Sequence, residues 1–262
     1  MIERPSQGGS VLKFEAVSLS FGGVAALQDV SFEVADGEIC GLIGPNGAGK
    51  TSLFNCANRL YRPTSGEITL DGTDLLALAP HQIASHGLSR TYQNLALFET
   101  MTVLENTMVG AHHRATPGFL RSLTGGFGVR RDQERIREEA FDILCELELD
   151  QYAHVPARGM PFGTLKRIEL ARAIISRPRA LLLDEPAGGL TREEVSELGD
   201  VILAIRERHG FSVLMVEHHL GLVGQICDSL VALNFGRVLV SGPPAEVRSH
   251  PEVVRAYLGG EE

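Results

Sequence analysis

Residues Gly44 to Thr51 read Gly-Pro-Asn-Gly-Ala-Gly-Lys-Thr, the composition and spacing of a phosphate-binding loop. The glycines let backbone N–H groups turn inward around an anion, and a helix opening at the end of the loop adds its dipole. A lysine at position 50 can reach the β- and γ-phosphates of a nucleotide, and the Thr51 hydroxyl suits Mg²⁺. Gly44, Asn46, Gly47, Ala48, Gly49, Lys50, Thr51 and Ser52 are therefore the candidate nucleotide contacts. A second chemical group is the pair Asp184-Glu185, which follows three leucines. An aspartate at the end of a buried strand can hold Mg²⁺, directly or through water, and the glutamate beside it can take a proton from an attacking water.

These residues need elements to position them. Before the loop, Ile39 to Ile43 is an apolar run that reads as a buried strand; after it, Ser52 to Ala57 can form a helix. Val11–Phe21 and Val30–Val34 have the alternating, β-branched look of strands, as does Glu67–Leu70 between turns at 63–66 and 71–72. From about Thr102 the character becomes helical. Thr102 with Glu105, and Thr191 with Glu194, have capping-box spacing, and the second should open a helix over Thr191–Arg208. Ile136, Ala140, Phe141, Ile143, Leu144 and Leu147 form a stripe that predicts a helix over Asp132–Leu149. Ala180–Leu183 and Ser212–Val216 read as buried parallel strands. Leu230–Leu233 and Val238–Val240 should pair as a hairpin, and Pro243–Leu258 should supply one or two short helices.

The chain has 262 residues, 44 % of them hydrophobic and 22 % charged, and a formal net charge of −9. That balance argues against a nucleic-acid partner held by phosphate neutralisation. No apolar run approaches the roughly 20 residues of a membrane helix, and the first ten residues lack the apolar stretch of a signal peptide. Cys40, Cys56, Cys145 and Cys227 have no metal-ligand spacing and read as reduced thiols. His81, His86, His112, His113 and His219 read as solvated side chains.

Over residues 11–258 the sequence resembles the nucleotide-binding subunits of ATP-binding-cassette transporters. The elements that carry the resemblance are, in order, Phe21, the phosphate loop, Gln93 within Arg90-Thr91-Tyr92-Gln93-Asn94, a signature-like segment at 160–167, Asp184-Glu185-Pro186, Gly189-Leu190-Thr191 and Glu217-His218. The resemblance implies an α/β fold: a phosphate-loop NTPase (RecA-like) core with a mainly parallel sheet, an N-terminal antiparallel β subdomain and an inserted α-helical subdomain. Residues 1–92 and 177–240 would form the core with its β subdomain, 93–176 the helical subdomain, and 241–262 a helical tail. Phe21 would stack on adenine, Gln93 would sense Mg²⁺ and the γ-phosphate, and Glu185 would polarise the attacking water. His218 would bind the γ-phosphate and fix the geometry. Gly163 would face the ATP of a partner chain, and Mg²⁺ would sit near Thr51, Gln93 and Asp184.

The signature departs from the family's usual Leu-Ser-Gly-Gly-Gln. Here it is Met160-Pro161-Phe162-Gly163-Thr164, and the Thr191 turn lacks the usual Asp or Asn. Two readings stay open: an asymmetric heterodimer with one weak site, or a signature in which Gly163 and the helix dipole suffice.

Within the family, the chain is most similar to the ATPase subunits of branched-chain amino-acid importers. This rests on Phe21-Gly22-Gly23 with Ala26-Leu27, Arg90 to Gln93, Leu97-Phe98 with Met101 to Val103, the Gly110–Arg137 insert, and Arg255 to Gly259. It implies a second, usually different ATPase chain or else a homodimer, two transmembrane permease subunits, an extracytoplasmic substrate-binding protein acting indirectly, and a peripheral place on the cytoplasmic face of the inner or plasma membrane. Relatives of this kind handle branched-chain amino acids, urea, amides and carboxylic acids. The insert's Arg114, Arg121, Arg130, Arg131, Arg135 and Arg137 read either as a solvated basic face or as a contact with the membrane surface or a membrane subunit. Leu97–Glu105 is the better candidate for the groove that takes a coupling helix. A lipopolysaccharide-type exporter ATPase shares the core, but the insert and Arg90–Gln93 argue against it. DNA-repair or ribosome-associated cassettes usually carry two cassettes, a coiled-coil or zinc insert, or a basic surface. A regulator with poor hydrolysis conflicts with the intact Lys50, Asp184, Glu185 and His218.

Overall fold

A computed structural model describes residues 10–91, 95–114 and 127–258. Strands β1 (Ser10–Phe21), β2 (Val24–Ala35), β4 (Ser65–Leu70) and β5 (Thr73–Asp74) form an antiparallel sheet in the order β2-β1-β4-β5. The second sheet runs β10 (Arg237–Gly242), β9 (Ser229–Asn234), β3 (Ile39–Ile43), β8 (Ser212–Val216), β7 (Ala180–Asp184), β6 (Leu88–Arg90). Its strands are parallel except β10, which pairs antiparallel with β9.

Every residue of β3, β7 and β8 is buried, as expected for parallel strands covered on both faces. Their side chains alternate between two cores. Ile39, Leu181, Leu183, Val213 and Met215 pack into a helical layer, while Cys40, Leu42, Leu182 and Leu214 pack against Leu12, Phe14, Leu53 and Phe54. The sheet is thus the middle of three layers, with helix α1 (Lys50–Ala57) and the antiparallel sheet on one side. On the other lie α2 (Val103–Val109), α3 (Phe127–Glu146), α4 (Phe162–Ile174), α5 (Arg192–His209) and α6 (Leu220–Ile226). Helices α7 (Pro244–Ser249) and α8 (Pro251–Leu258) close the described chain. Among the described residues, no helix is long and apolar enough to cross a membrane.

Both capping boxes form. Thr102 and Thr191 each accept from the backbone N–H three residues on, while Glu105 and Glu194 reach back. The apolar stripe of α3 buries Ile136, Ala140, Ile143 and Leu144, with Leu147 just past the helix end, but Phe141 is 41 % exposed. One residue beyond Ala140 lies about 100° round the helix, so Phe141 leaves the stripe. Helix α3 also stops at Glu146 rather than Leu149, because Glu148 turns into the left-handed region at φ 58.

Arg114 is not a solvated member of a basic face. It forks onto Glu139 at 2.9 and 2.7 Å and donates to the Ile175 carbonyl, tying the insert to α3 and α4. Arg131, Arg135 and Arg137 are exposed, and Arg121 lies outside the described residues. His113 is half-buried and its pKa is held down, first by burial and then by Arg114. All four cysteines are free thiols. Burial pushes Cys40 up to about 12 and Cys56 up to about 11, which leaves both unreactive.

Candidate nucleotide site

The candidate residues gather at the carboxyl ends of adjacent parallel strands, where open α/β sheets place ligands. The phosphate loop follows β3, Asp184 ends β7, His218 lies two residues past β8, and Arg90 ends β6. Since β3, β8, β7 and β6 are neighbours in that order, segments far apart in sequence meet at one edge.

The loop is built by backbone shape. Gly44 has φ 152, and a Cβ there would lie 2.1 Å from the Leu233 carbonyl oxygen; Gly49 has φ 105, and its Cβ would lie 2.6 Å from the Ala26 oxygen. Neither position admits a side chain. The Ala48 carbonyl accepts from Gly236 N–H at 2.9 Å, anchoring the loop to the β9–β10 turn. Asn46 and Gly47 are exposed at the tip, whereas Ala48 and Lys50 are buried. Lys50 Nζ donates to the Gly44 and Pro45 carbonyls at 2.6 and 2.9 Å. Burial lowers the Lys50 pKa, and the nearby Glu185 and Asp184 partly restore it. Thr51 stands exposed and Ser52 half-buried at the helix start, where free N–H groups favour anions.

The two acids differ sharply. Asp184 makes a 2.6 Å ion pair with Arg90, the side chains 5 % and 4 % exposed. Arg90 also donates to Asn55 Oδ1 at 2.7 Å and lies over the Phe54 ring. Glu185 is more open. His218 Nε2 lies 3.2 Å from its Oε1, with side chains 38 % and 27 % exposed. Glu185 adopts φ 48, a left-handed conformation that costs a non-glycine residue about 1–2 kcal/mol. Its N–H is held by the Val216 carbonyl at 2.9 Å.

Glu217, which sequence reasoning gave no role, is buried and accepts three backbone N–H bonds. They come from Ala187 at 2.7 Å, His218 at 2.8 Å and His219 at 2.9 Å. It joins the segment after Glu185 to the segment carrying His218. His219 is exposed, as expected, and also caps α6. Phe21 is 47 % exposed and meets Tyr61 edge-on at 5.1 Å, so a second ring stands beside the one expected to take the base. Gly163 borders Glu194 and Leu190 in the first turn of α4. Pro161 is the N-cap of α4, a position whose N–H stands outside the helical ladder, so the helix start survives the proline. Gln93 lies outside the described residues.

The Thr51 hydroxyl and the Asp184 carboxylate are hard oxygen donors of the kind Mg²⁺ takes together with phosphate oxygens. Among the described residues, no group of three His, Cys, Asp or Glu could hold a metal by protein atoms alone.

Residues 27–188 match the family model described as ABC transporter, and residues 237–262 match that of the branched-chain amino acid ATP-binding cassette transporter. The high-affinity branched-chain amino acid transport ATP-binding protein BraF of Pseudomonas aeruginosa is 39 % identical, over 95 % of this chain and 98 % of its own. LivG of Escherichia coli K12, which carries the same description, is also 39 % identical over the same shares. The methionine import ATP-binding protein MetN of Myxococcus xanthus is 35 % identical over 87 % of this chain and 65 % of its own. Among solved structures, the ADP conformation of an ATP-binding cassette of an ABC transporter superposes with a TM-score of 0.83 at 28 % identity, over 96 % of this chain and 99 % of that one. The chain belongs to the ATP-binding-cassette transporter family, among the branched-chain amino-acid transport ATP-binding proteins.

Proposed function

We propose that this chain is the ATP-hydrolysing subunit of an importer for branched-chain amino acids or related small amides and carboxylates, working from the cytoplasmic face of the membrane through permease subunits. The observation that carries the hydrolytic reading is the Glu185–His218 pair at 3.2 Å beside the phosphate loop. Gly44 to Ser52 would bind the phosphates and Phe21 with Tyr61 the base. Glu185 would draw the proton from the attacking water, and His218 would hold that carboxylate and the γ-phosphate in line. Thr51 and Asp184, with Gln93, would hold Mg²⁺, which supplies charge neutralisation on the phosphates. A second ATPase chain would supply the signature that closes over this loop, while Gly163 serves the partner's nucleotide.

The division into a core (1–92 and 177–240), a helical unit (93–176) and a tail (241–262) belongs to the same proposal. Its functional sense is that the transport contact lies where the core and the helical unit meet. A groove bounded by Leu60, Ile83, Ala96, Phe98 and Val109, with Asn58, Arg90 and Arg172 also in its lining, suits a coupling helix, and Phe98 is 48 % exposed within it. The 35 % identity to a methionine-import cassette supports leaving substrate choice to other chains.

The test is uptake of a labelled branched-chain amino acid by vesicles containing this chain and its permease subunits. Lys50→Ala should abolish ATP-dependent uptake. Phe98→Asp should abolish uptake while ATP binding stays within about twofold, as expected when coupling alone is lost. Full uptake by the Lys50 variant would overturn the motor role, and full uptake by the Phe98 variant would overturn the groove.

A further inference from the structure

We infer that the C-terminal helix is part of the nucleotide site, and that Tyr257 is a positioning residue holding the base of the phosphate loop through Gly44. The inference rests on the reading of Gly44–Thr51 as the ATP site. The Tyr257 hydroxyl accepts a hydrogen bond from Gly44 N–H at 2.8 Å, across 213 residues of sequence.

Gly44 is where β3 gives way to the loop, so its N–H lies at the end of the sheet. A buried backbone donor in that place needs an acceptor, and the phenol provides it. On its other side Gly44 lies hard against the Leu233 carbonyl, with no room for a Cβ. The residue that launches the loop is thus held between the backbone of β9 and the tip of Tyr257. Burial pushes the Tyr257 phenol upward, opposed by the Gly44 bond, so at neutral pH it is an uncharged hydroxyl.

Helix α8 borders the loop along its length. Ile43, Leu220, Val253, Val254 and Tyr257 line one cavity of about 440 Å³. Pro45, Asn46 and Gly47 share a second, of about 510 Å³, with Glu252, Arg255 and Ala256. Leu220 stands two residues after His218, which places the same helix beside the segment that carries the histidine.

A loop held from outside acts on nucleotide binding rather than on the chemical step. Interactions that favour ground and transition states alike change affinity and leave kcat in place. Tyr257→Phe keeps the ring and removes only the oxygen. In the full chain, this variant should weaken MgATP binding by about 3- to 10-fold, the range for losing one neutral hydrogen bond. Its kcat at saturating ATP should stay within about twofold. Amide exchange should accelerate at Gly44 and not at Leu42 within β3, which also shows that the fold is intact. Tyr257→Ala, which empties the ring's place, should weaken binding further. Wild-type affinity in the Phe variant would overturn the role of Tyr257, whatever the exchange shows. A kcat loss with unchanged affinity would overturn it as well. A wild-type chain that binds no MgATP would instead overturn the site reading beneath it.

Discussion

Asp184 and Glu185 are adjacent in sequence and live in different physical worlds. Asp184 ends a fully buried strand and is locked to Arg90 at 2.6 Å, both side chains about 5 % exposed or less. Glu185 has turned out of the strand, at φ 48, to face His218 with over a quarter of its side chain in solvent. A buried carboxylate held by a guanidinium makes a fixed anionic post. An open carboxylate beside an imidazole can do proton chemistry and be reached by water. The two residues are consecutive, and the backbone turn at Glu185 divides a fixed post from an open carboxylate.

Removing one partner from each pair separates the roles most strongly. Arg90→Ala leaves Asp184 buried without its cation and should cost about 3–5 kcal/mol of unfolding free energy. His218→Ala, in the open pair, should cost under about 1 kcal/mol yet lower kcat about 10²-fold. Urea unfolding and steady-state ATPase measured on both variants check this. Equal stability losses, or an Arg90 variant as stable as wild type, would erase the distinction.

A smaller effect sharpens the same contrast. Glu217 ties the strand end beyond Glu185 to the His218 segment by three backbone hydrogen bonds. Glu217→Gln replaces one acceptor oxygen by a donor nitrogen, leaving at least one buried N–H unsatisfied, at about 1–3 kcal/mol. Its kcat should fall more than its ATP affinity, since His218 loses its aim rather than the loop its shape. A variant with wild-type kcat would show that Glu217 holds the fold alone.

The parts of the site legible in the sequence were those whose signal is local. The phosphate loop and the acids after the leucines each announce themselves within a few residues, whereas the role of His218 came from its place in the family's motif order. Arg90, Glu217, Tyr61 and Tyr257 were not legible as site residues, because their meaning lies in partners brought close by sheet order. Arg90 meets Asp184 across 94 residues, and Glu217 meets Ala187 across 30. Nothing in the sequence states that β6 lies beside β7, or that the last helix returns to the first loop. The same holds for Arg114, whose charge suggested a surface while its position between α3 and α4 made it a cross-link. Strands β3, β7 and β8 were readable almost to the residue, since burial on both faces leaves an unbroken apolar run, whereas β6, Leu88-Ser89-Arg90, carries no such run and was not read as a strand.

The central claim is that Glu185 performs the chemistry on a nucleotide that the phosphate loop binds without it. The direct measurement is MgATP affinity and single-turnover hydrolysis for Glu185→Gln in the full chain assembled with its ATPase partner, the partner's own glutamate being changed likewise. Affinity should stay within about threefold while hydrolysis falls by at least about 10²-fold, the scale of a lost general base. Hydrolysis within tenfold of wild type, or loss of ATP binding, would contradict it.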